Sequence, residues 1–373
     1  MRKPGAWAVA GVASCLVLGL AAWGILGGGG SVGPREAPSP SAGLAPGQLA
    51  GQRMVAGFGG RDLPTRLRRA IRQGRIGGVI LFAGNLPDRQ AARRLTRRIQ
   101  AVPRPKRLRP YPLLIMVDQE GGLVKRLAGA PRVSAAEMGR RGPAFSRRQG
   151  VLTGRNLRNA GINMDLAPVL DVARPGGDIF ATGRAFGTTV RKVERTAIPF
   201  AGGLESTGVA STGKHFPGLG KIQANTDFSV QVVRSSRAAI RKVDEAPFRA
   251  YSRAGGDAVM VGTAVYPAFG RRPAAFNARI GRGELRGRGG CRGVTITDAL
   301  GTGAARAFGG PRRTSVAAAR AGVDLLLFGD PREPLRGQQA LRDALREGRI
   351  PAGRFRSSVD RILELRARVG RSG

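Results

Sequence analysis

Short runs of apolar and β-branched residues recur along the body of the chain, each bounded by Gly, Pro or a charged residue. They predict strands at Met54–Gly59, Gly78–Phe82, Leu113–Val117, Ile162–Ala167, Val209–Gly213, Ala258–Gly262, Val294–Thr297 and Asp324–Phe328. Between most of them lie Arg- and Ala-rich stretches with apolar residues at helical spacing, as in Pro64–Gln73, Arg89–Gln100, Arg147–Asn159 and Arg237–Ala254. Strands that are nearly continuous in apolar residues are covered on both faces. Alternation of eight such strands with helices predicts an α/β chain folded as a single-domain (β/α)8 barrel over residues 51–373. The alternative is an open doubly wound sheet. That fold would carry a GxGxxG turn after its first strand, and Gly57-Phe58-Gly59-Gly60 lacks the spacing.

The first 50 residues follow a different pattern. Arg2 and Lys3 precede an uncharged run from Ala6 to Leu26, long enough to span a bilayer, so residues 1–27 are expected to be a signal-anchor or an export signal. The basic flank predicts an N-terminus inside and a body outside the cell membrane. A cleaved signal, giving a secreted protein, is one alternative. Another is a lipoprotein through Cys15, since Val12-Ala13-Ser14-Cys15 resembles a lipobox, although Leu16 to Leu20 stay apolar where a polar tether would begin. Residues 28–50, rich in Gly, Pro, Ser and Ala, are expected to be a flexible linker.

Polar residues collect at the predicted C-terminal strand ends. Asp118-Gln119-Glu120-Gly121-Gly122 follows the third strand, Asp171 lies beyond the fourth, and Lys214-His215 follow the fifth; Thr263 and Tyr266 follow the sixth, and Asp298 the seventh. A single Asp or Thr at such a position is readily explained as a helix N-cap. Five groups in register predict a polar pocket on the face where barrels build their sites.

Composition narrows the chemistry. His215 is the one histidine in 373 residues, which removes any site needing two imidazoles. Cys291 is the lone cysteine outside the N-terminal segment, so the body holds no intrachain disulfide. Lys and Arg number 63 against 24 Asp and Glu, a net charge of +39. Clusters such as Arg104-Pro105-Lys106-Arg107-Leu108-Arg109 predict a basic surface suited to anionic lipid or anionic envelope polymers. Nucleic acid is not expected as a partner, because the chain has no helix-turn-helix, RNA-binding aromatic signature or zinc motif.

In order along the body stand Gly78-Val79-Ile80-Leu81-Phe82, the segment Val117-Asp118-Gln119-Glu120-Gly121-Gly122 with Lys125-Arg126 behind it, and Leu166-Ala167-Pro168-Val169-Leu170-Asp171-Val172. Gly183-Arg184-Ala185-Phe186-Gly187, Lys214-His215-Phe216-Pro217-Gly218 and Ile296-Thr297-Asp298-Ala299-Leu300 follow. As an ordered set these resemble glycoside hydrolase family 3, in the group of single-domain bacterial β-N-acetylhexosaminidases. The resemblance implies a retaining exo-glycosidase that removes terminal β-GlcNAc from peptidoglycan-derived fragments, with a carbohydrate as partner, a monomeric state, and no metal or organic cofactor. It implies Asp298 as nucleophile, with Asp118, Arg126, Arg184, Lys214 and His215 binding sugar hydroxyls.

The departures are equally specific. The group's acid/base is a histidine on the loop after Lys-His-Phe-Pro-Gly, and here that loop reads Lys221-Ile222-Gln223-Ala224-Asn225-Thr226-Asp227-Phe228-Ser229. Asp227 is its one carboxylate and the expected replacement. Leu123 and Thr263 stand where the group often has Arg and His. Two other readings remain open: a family 3 enzyme of other sugar preference, such as a β-glucosidase, and a noncatalytic wall-binding relative.

Overall fold

The computed structural model describes residues 39–371. The expected anchor at 1–27 and the first part of the linker lie outside the described residues. The rest of the expected linker, residues 39–50, is part of the body. Ser39 Oγ and the Ser41 N–H both donate to the Asp360 carboxylate, at 2.7 and 2.8 Å, and the helix Pro46–Gln52 buries Leu49 and Ala50. Four consecutive residues, Leu49–Gln52, are buried there, and so short an amphipathic turn is masked in the sequence by the Gly and Pro around it. Among the described residues no helix is long and apolar enough to cross a membrane.

Every predicted strand region overlaps a strand, though Val209–Gly213 shares only Thr212 and Gly213 with the strand observed there. In chain order they are β1 (Met54–Gly57), β2 (Gly78–Ile80), β3 (Leu114–Val117), a small antiparallel pair β4 (Gln119–Gly121) and β5 (Val124–Lys125), β6 (Met164–Asp165), β7 (Thr212–Phe216), β8 (Ala258–Val261), β9 (Val294–Thr297) and β10 (Leu326–Phe328). One parallel sheet has the order β10-β1-β2-β3-β6 and another the order β7-β8-β9. The two meet at both edges through isolated parallel bridges, Met164 to Ala210 and Val169 to Lys214 at one edge and Ile296 to Leu325 at the other. The result is a TIM-barrel-like α/β fold in which the parallel strands follow one another in ring order.

Side-chain alternation separates two apolar layers. Val55, Ile80, Leu114, Met116, Met164 and Ile296 point to one side of the sheets and form the inner core. Their neighbours Met54, Ala56, Val79, Ile115 and Val117 point the other way, into the layer beneath the helices. Ile362, Leu365 and Val369 of the C-terminal helix Ala352–Arg371 join the inner core and close it at the end opposite the polar loops.

The helix predicted at Arg89–Gln100 has those bounds; Asp88 caps it by accepting from the Ala91 N–H, and Ala92, Leu95, Thr96 and Ile99 form its buried stripe. The helix predicted at Arg237–Ala254 is interrupted by a π turn, Ile240–Asp244, before it resumes as Ala246–Arg253. Pro247 opens the resumed segment, and its ring cannot coexist with an unbroken α-helical ladder through the preceding turn. A second difference places Lys214 and His215 inside β7 rather than after it. Both are buried, the Lys214–His215 peptide is cis, and β7 shifts register against β8 between Gly213 and Phe216. Charged residues enter this strand because their partners are buried with them.

Candidate active site

The cleft lies over the C-terminal ends of the parallel strands, and its deepest layer is an ion cluster. Lys214 is almost fully buried in β7, with Nζ 2.6 Å from Asp118 Oδ1 and 2.7 Å from Glu120 Oε1. The Arg184 guanidinium grips the same Glu120 with both prongs, at 2.9 and 2.8 Å. Burial alone would push the Glu120 carboxyl up, but Lys214 and Arg184 outweigh it and hold it at about 2. Burial likewise works against the Lys214 ammonium, and Asp118 and Glu120 more than offset it, so its pKa is raised. Glu120, Lys214 and Arg184 are therefore charged and fixed in place across the physiological range.

Gln119 locks the strand-end hairpin that delivers Glu120 and Arg126. Its Oε1 accepts from the backbone N–H groups of Arg126 and Leu127, and its Nε2 donates to the Leu127 and Ala130 carbonyls. Arg126 reaches the cleft with a buried Nε that has no hydrogen-bond partner. A donor left unpaired in this way is suited to an incoming ligand oxygen. Beneath the hairpin Asp165 accepts from the Gln119 N–H at 2.9 Å, and burial pushes its carboxyl up to about 8.

His215 is held from behind. Its Nδ1 lies 2.8 Å from Asp171 Oδ2, while Asp171 Oδ1 accepts from the backbone N–H groups of His215 and Leu219. Because an ionised Asp171 only accepts, Nδ1 carries a hydrogen and Nε2 is left for the cleft. Three residues expected in the pocket therefore sit under it instead. Asp171 is fully buried as the orienting group of His215, Tyr266 donates its hydroxyl to the Gly218 carbonyl at 2.7 Å, and Thr263 is buried beside the loop. Strand-end position predicted their height in the barrel but not the direction of their side chains.

Asp298 follows β9 directly. Its N–H donates to the Val261 carbonyl and its Oδ1 accepts from the Ala299 N–H at 2.8 Å, so both backbone and carboxylate are fixed. Asp227 comes from the long loop after β7, where its N–H donates to Asn225 Oδ1. Asp227 keeps an exposed position on its loop, and partial desolvation by the surrounding cleft and then the negative Asp298 raise its pKa, against the smaller opposing effect of His215. That Asp298 acts on Asp227 in this way reflects two carboxylates sharing one cleft.

Asp118, Arg126, Arg184, Lys214, His215, Asp227 and Asp298, the residues singled out in the sequence, all line this one cavity of about 360 Å3. The structure adds Glu120 as the shared counter-charge of Lys214 and Arg184, and it adds Asp178, Asp330 and Glu333 at the wall. Seven of the chain's 24 acidic residues thus face a single cleft in a protein of net charge +39. Glu120 was visible as part of the Asp118–Gly122 motif, whereas Asp178, Asp330 and Glu333 sit in loops and helix starts that carry no periodic signal. Among the described residues no three or more His, Cys, Asp or Glu side chains converge as a metal site would.

Fold and cleft together define a glycosidase of the barrel type. Residues 48–365 match the family described as Glycosyl hydrolase family 3 N terminal domain, and the chain belongs to that family. It is 34% identical over 330 residues to a protein of Arthroderma benhamiae described as an uncharacterized secreted glycosyl hydrolase, covering 86% of this chain and 93% of that one. It is also 34% identical to a β-hexosaminidase of Alkalilimnicola ehrlichii, over 74% of this chain and 80% of its relative. Among solved structures, a family 3 β-N-acetylglucosaminidase from a Paenibacillus species superposes with a TM-score of 0.82 at 32% identity. The match covers 87% of this chain but 63% of that one, so the chain spans less than two thirds of that larger protein. A β-N-acetylhexosaminidase from Beutenbergia cavernae superposes with a TM-score of 0.81 at 28% identity, over 87% and 98% of the two chains. The chain is a glycoside hydrolase.

Proposed function

We propose that the protein is a retaining exo-β-N-acetylhexosaminidase that releases terminal β-GlcNAc from peptidoglycan-derived fragments outside the cytoplasm. The observation that carries this reading is the asymmetry of the cleft carboxylates. Glu120 is locked as an anion by Lys214 and Arg184, Asp298 is fixed at a strand end, and Asp227 is held toward its protonated form. A double displacement needs one anion to attack and one carboxylic acid to donate. In the first step Asp298 bonds to the anomeric carbon while the glycosidic C–O bond breaks and Asp227 gives its proton to the leaving oxygen. In the second, Asp227 takes a proton from water, the water oxygen bonds to the anomeric carbon, and Asp298 departs. Asp118, Arg126, Arg184, Lys214 and His215 hold the sugar.

The similarity to β-hexosaminidases supports the sugar preference. The cavity of about 360 Å3 lies at the small end of the range usual for ligand pockets, ~300–1,000 Å3, which supports removal of one terminal sugar at a time. We read the two bridged seams as closing a (β/α)8 barrel, and the apolar run after Arg2 and Lys3 as an export or anchoring signal that delivers the body to the envelope.

A second reading has His215 carry the proton, because Asp171 orients its ring as a catalytic base is oriented. The two differ in what external azide does. Under the proposal Asp298→Ala nearly abolishes turnover with the fold intact, a 2-deoxy-2-fluoro glycoside labels Asp298, and azide rescues deglycosylation in Asp227→Ala. A label on Asp118 or Asp227 would overturn the assignment of the nucleophile. Rescue confined to a His215 variant would transfer the proton to the imidazole.

A further inference from the structure

Away from the cleft, two cavities of about 690 and 820 Å3 share Arg282, Arg320 and Arg349 and so form one continuous groove. It starts at the N-terminal end of β10, where Gly322 and Asp324 lie. From there it follows the π-helical segment Arg279–Arg288 and the helix Pro311–Ala321 toward the loop after β8. The flanking helix alone makes the groove about 16 Å long.

The charge of this groove is one-sided. Arg271, Arg272, Arg279 and Arg312 line its upper part, and Arg354 and Arg361 line the lower part; Arg312 pairs with Asp343 at 3.9 Å and Arg349 with Glu347 at 2.5 Å. The one acid there, Asp324, is fully buried and already engaged by Arg286, Arg361 and the Ser358 hydroxyl. Arg271, Arg272, Arg279, Arg282, Arg320 and Arg354 are exposed, and their guanidinium groups make no ion pair or hydrogen bond among the described residues. Guanidiniums that converge on a concavity without counter-charge repel one another, and a row of phosphates would satisfy both their charge and their paired N–H groups.

The other polyanions fit less well. Phe276 and Phe308 stack on each other at 4.4 Å with Arg313 over Phe308, and Phe269 is buried, so no free ring is offered for a nucleobase. A bilayer is flat where this surface is concave, and none of the exposed large apolar side chains lines it.

We propose that the groove binds a linear, base-free phosphodiester polymer of the kind built from polyol phosphates, and so tethers the enzyme to an anionic envelope chain while its cleft stays free. The test uses the full chain in detergent. Binding of poly(glycerol phosphate) is compared with binding of poly(dT) and of phosphatidylglycerol vesicles at two salt concentrations. A triple variant Arg282→Gln, Arg320→Gln, Arg349→Gln is set against a control of equal charge, Arg93→Gln, Arg94→Gln, Arg97→Gln, on the exposed face of the helix Arg89–Gln100. The groove variant should lose about tenfold or more in affinity for poly(glycerol phosphate), with a shallower salt dependence. The control should change by about twofold or less, and both variants should hydrolyse a chromogenic β-N-acetylglucosaminide at wild-type rates and melt like the parent. Equal losses in both variants would reduce the effect to net charge and overturn the proposal. So would tighter binding of poly(dT) or of vesicles, or no binding of the polymer at all.

Discussion

The backbone N–H of Gly303 donates to the carbonyl oxygen of Asp227 at 2.8 Å, stapling the loop after β7 to the start of the helix that follows Asp298. A Cβ on residue 303 would lie 2.2 Å from the Phe228 carbonyl oxygen and 3.1 Å from that of Asp227. Glycine therefore lets the acid-bearing loop and the nucleophile-bearing strand end approach each other. Gly303→Ala should displace Asp227 and lower kcat about 10- to 100-fold on a disaccharide with a poor leaving group. Hydrolysis of an activated aryl glycoside should suffer far less, with little change in Tm because the loop is exposed. Equal losses on both substrates would mean that the damage is not confined to Asp227.

The raised Asp227 pKa sets the direction of the pH profile. A general acid must hold its proton, so hydrolysis of poor leaving groups should fall as pH rises through the Asp227 pKa, which desolvation and Asp298 raise from its ordinary value. Asp227→Ala should remove that alkaline limb and cost about 10²- to 10⁴-fold on the disaccharide. Rates against pH for the two substrate types check this; an unchanged limb in the variant would assign it to another group.

Glu120 should matter for binding and stability rather than proton transfer. Glu120→Gln leaves Lys214 and Arg184 buried with only Asp118 to share, a loss on the order of 3 kcal/mol by analogy with broken buried ion pairs. Its folded pKa is depressed to about 2 from 4.5, so its stabilisation is complete above 4.5 and lost as pH falls through about 2. The gap in Tm between wild type and variant should persist at neutral pH and close on acidification. A KM increase exceeding the change in kcat is expected as well.

Asp165 has the opposite sign. Its Oδ2 is buried without a partner, and burial raises its pKa from 3.8 to about 8, so the proton is bound more tightly in the folded than in the unfolded chain. The stability this confers is complete below 3.8 and lost as pH rises through about 8. Asp165→Asn keeps an acceptor for the Gln119 N–H but cannot ionise. Its Tm relative to wild type should shift in its favour as pH rises from 3.8 to about 8 and level off above that. A pH-independent difference would show that Asp165 does not titrate in this window.

Strand positions, the alternation of strands with helices and the ordered motifs were legible along the chain, because apolar periodicity reports which side of a strand or helix is covered. Strand-end position marked Asp118, Lys214, His215 and Asp298, and the resemblance to family 3 added Arg126, Arg184 and Asp227; all seven meet in one cleft. What one-dimensional order does not contain is direction and long-range pairing. Asp171 and Tyr266 sit at strand ends like Asp298, yet their side chains turn beneath the cleft to hold His215 and Gly218. Glu120 became the centre of an ion cluster through Arg184, 64 positions away, and the groove shared by Arg282, Arg320 and Arg349 joins segments that no local pattern relates. Burial and charge proximity, which raise the pKa values of Asp227 and Asp165 and lower that of Glu120, exist only once the strands have packed around them, so tertiary packing decided the chemistry of residues whose identity and order the chain had already set.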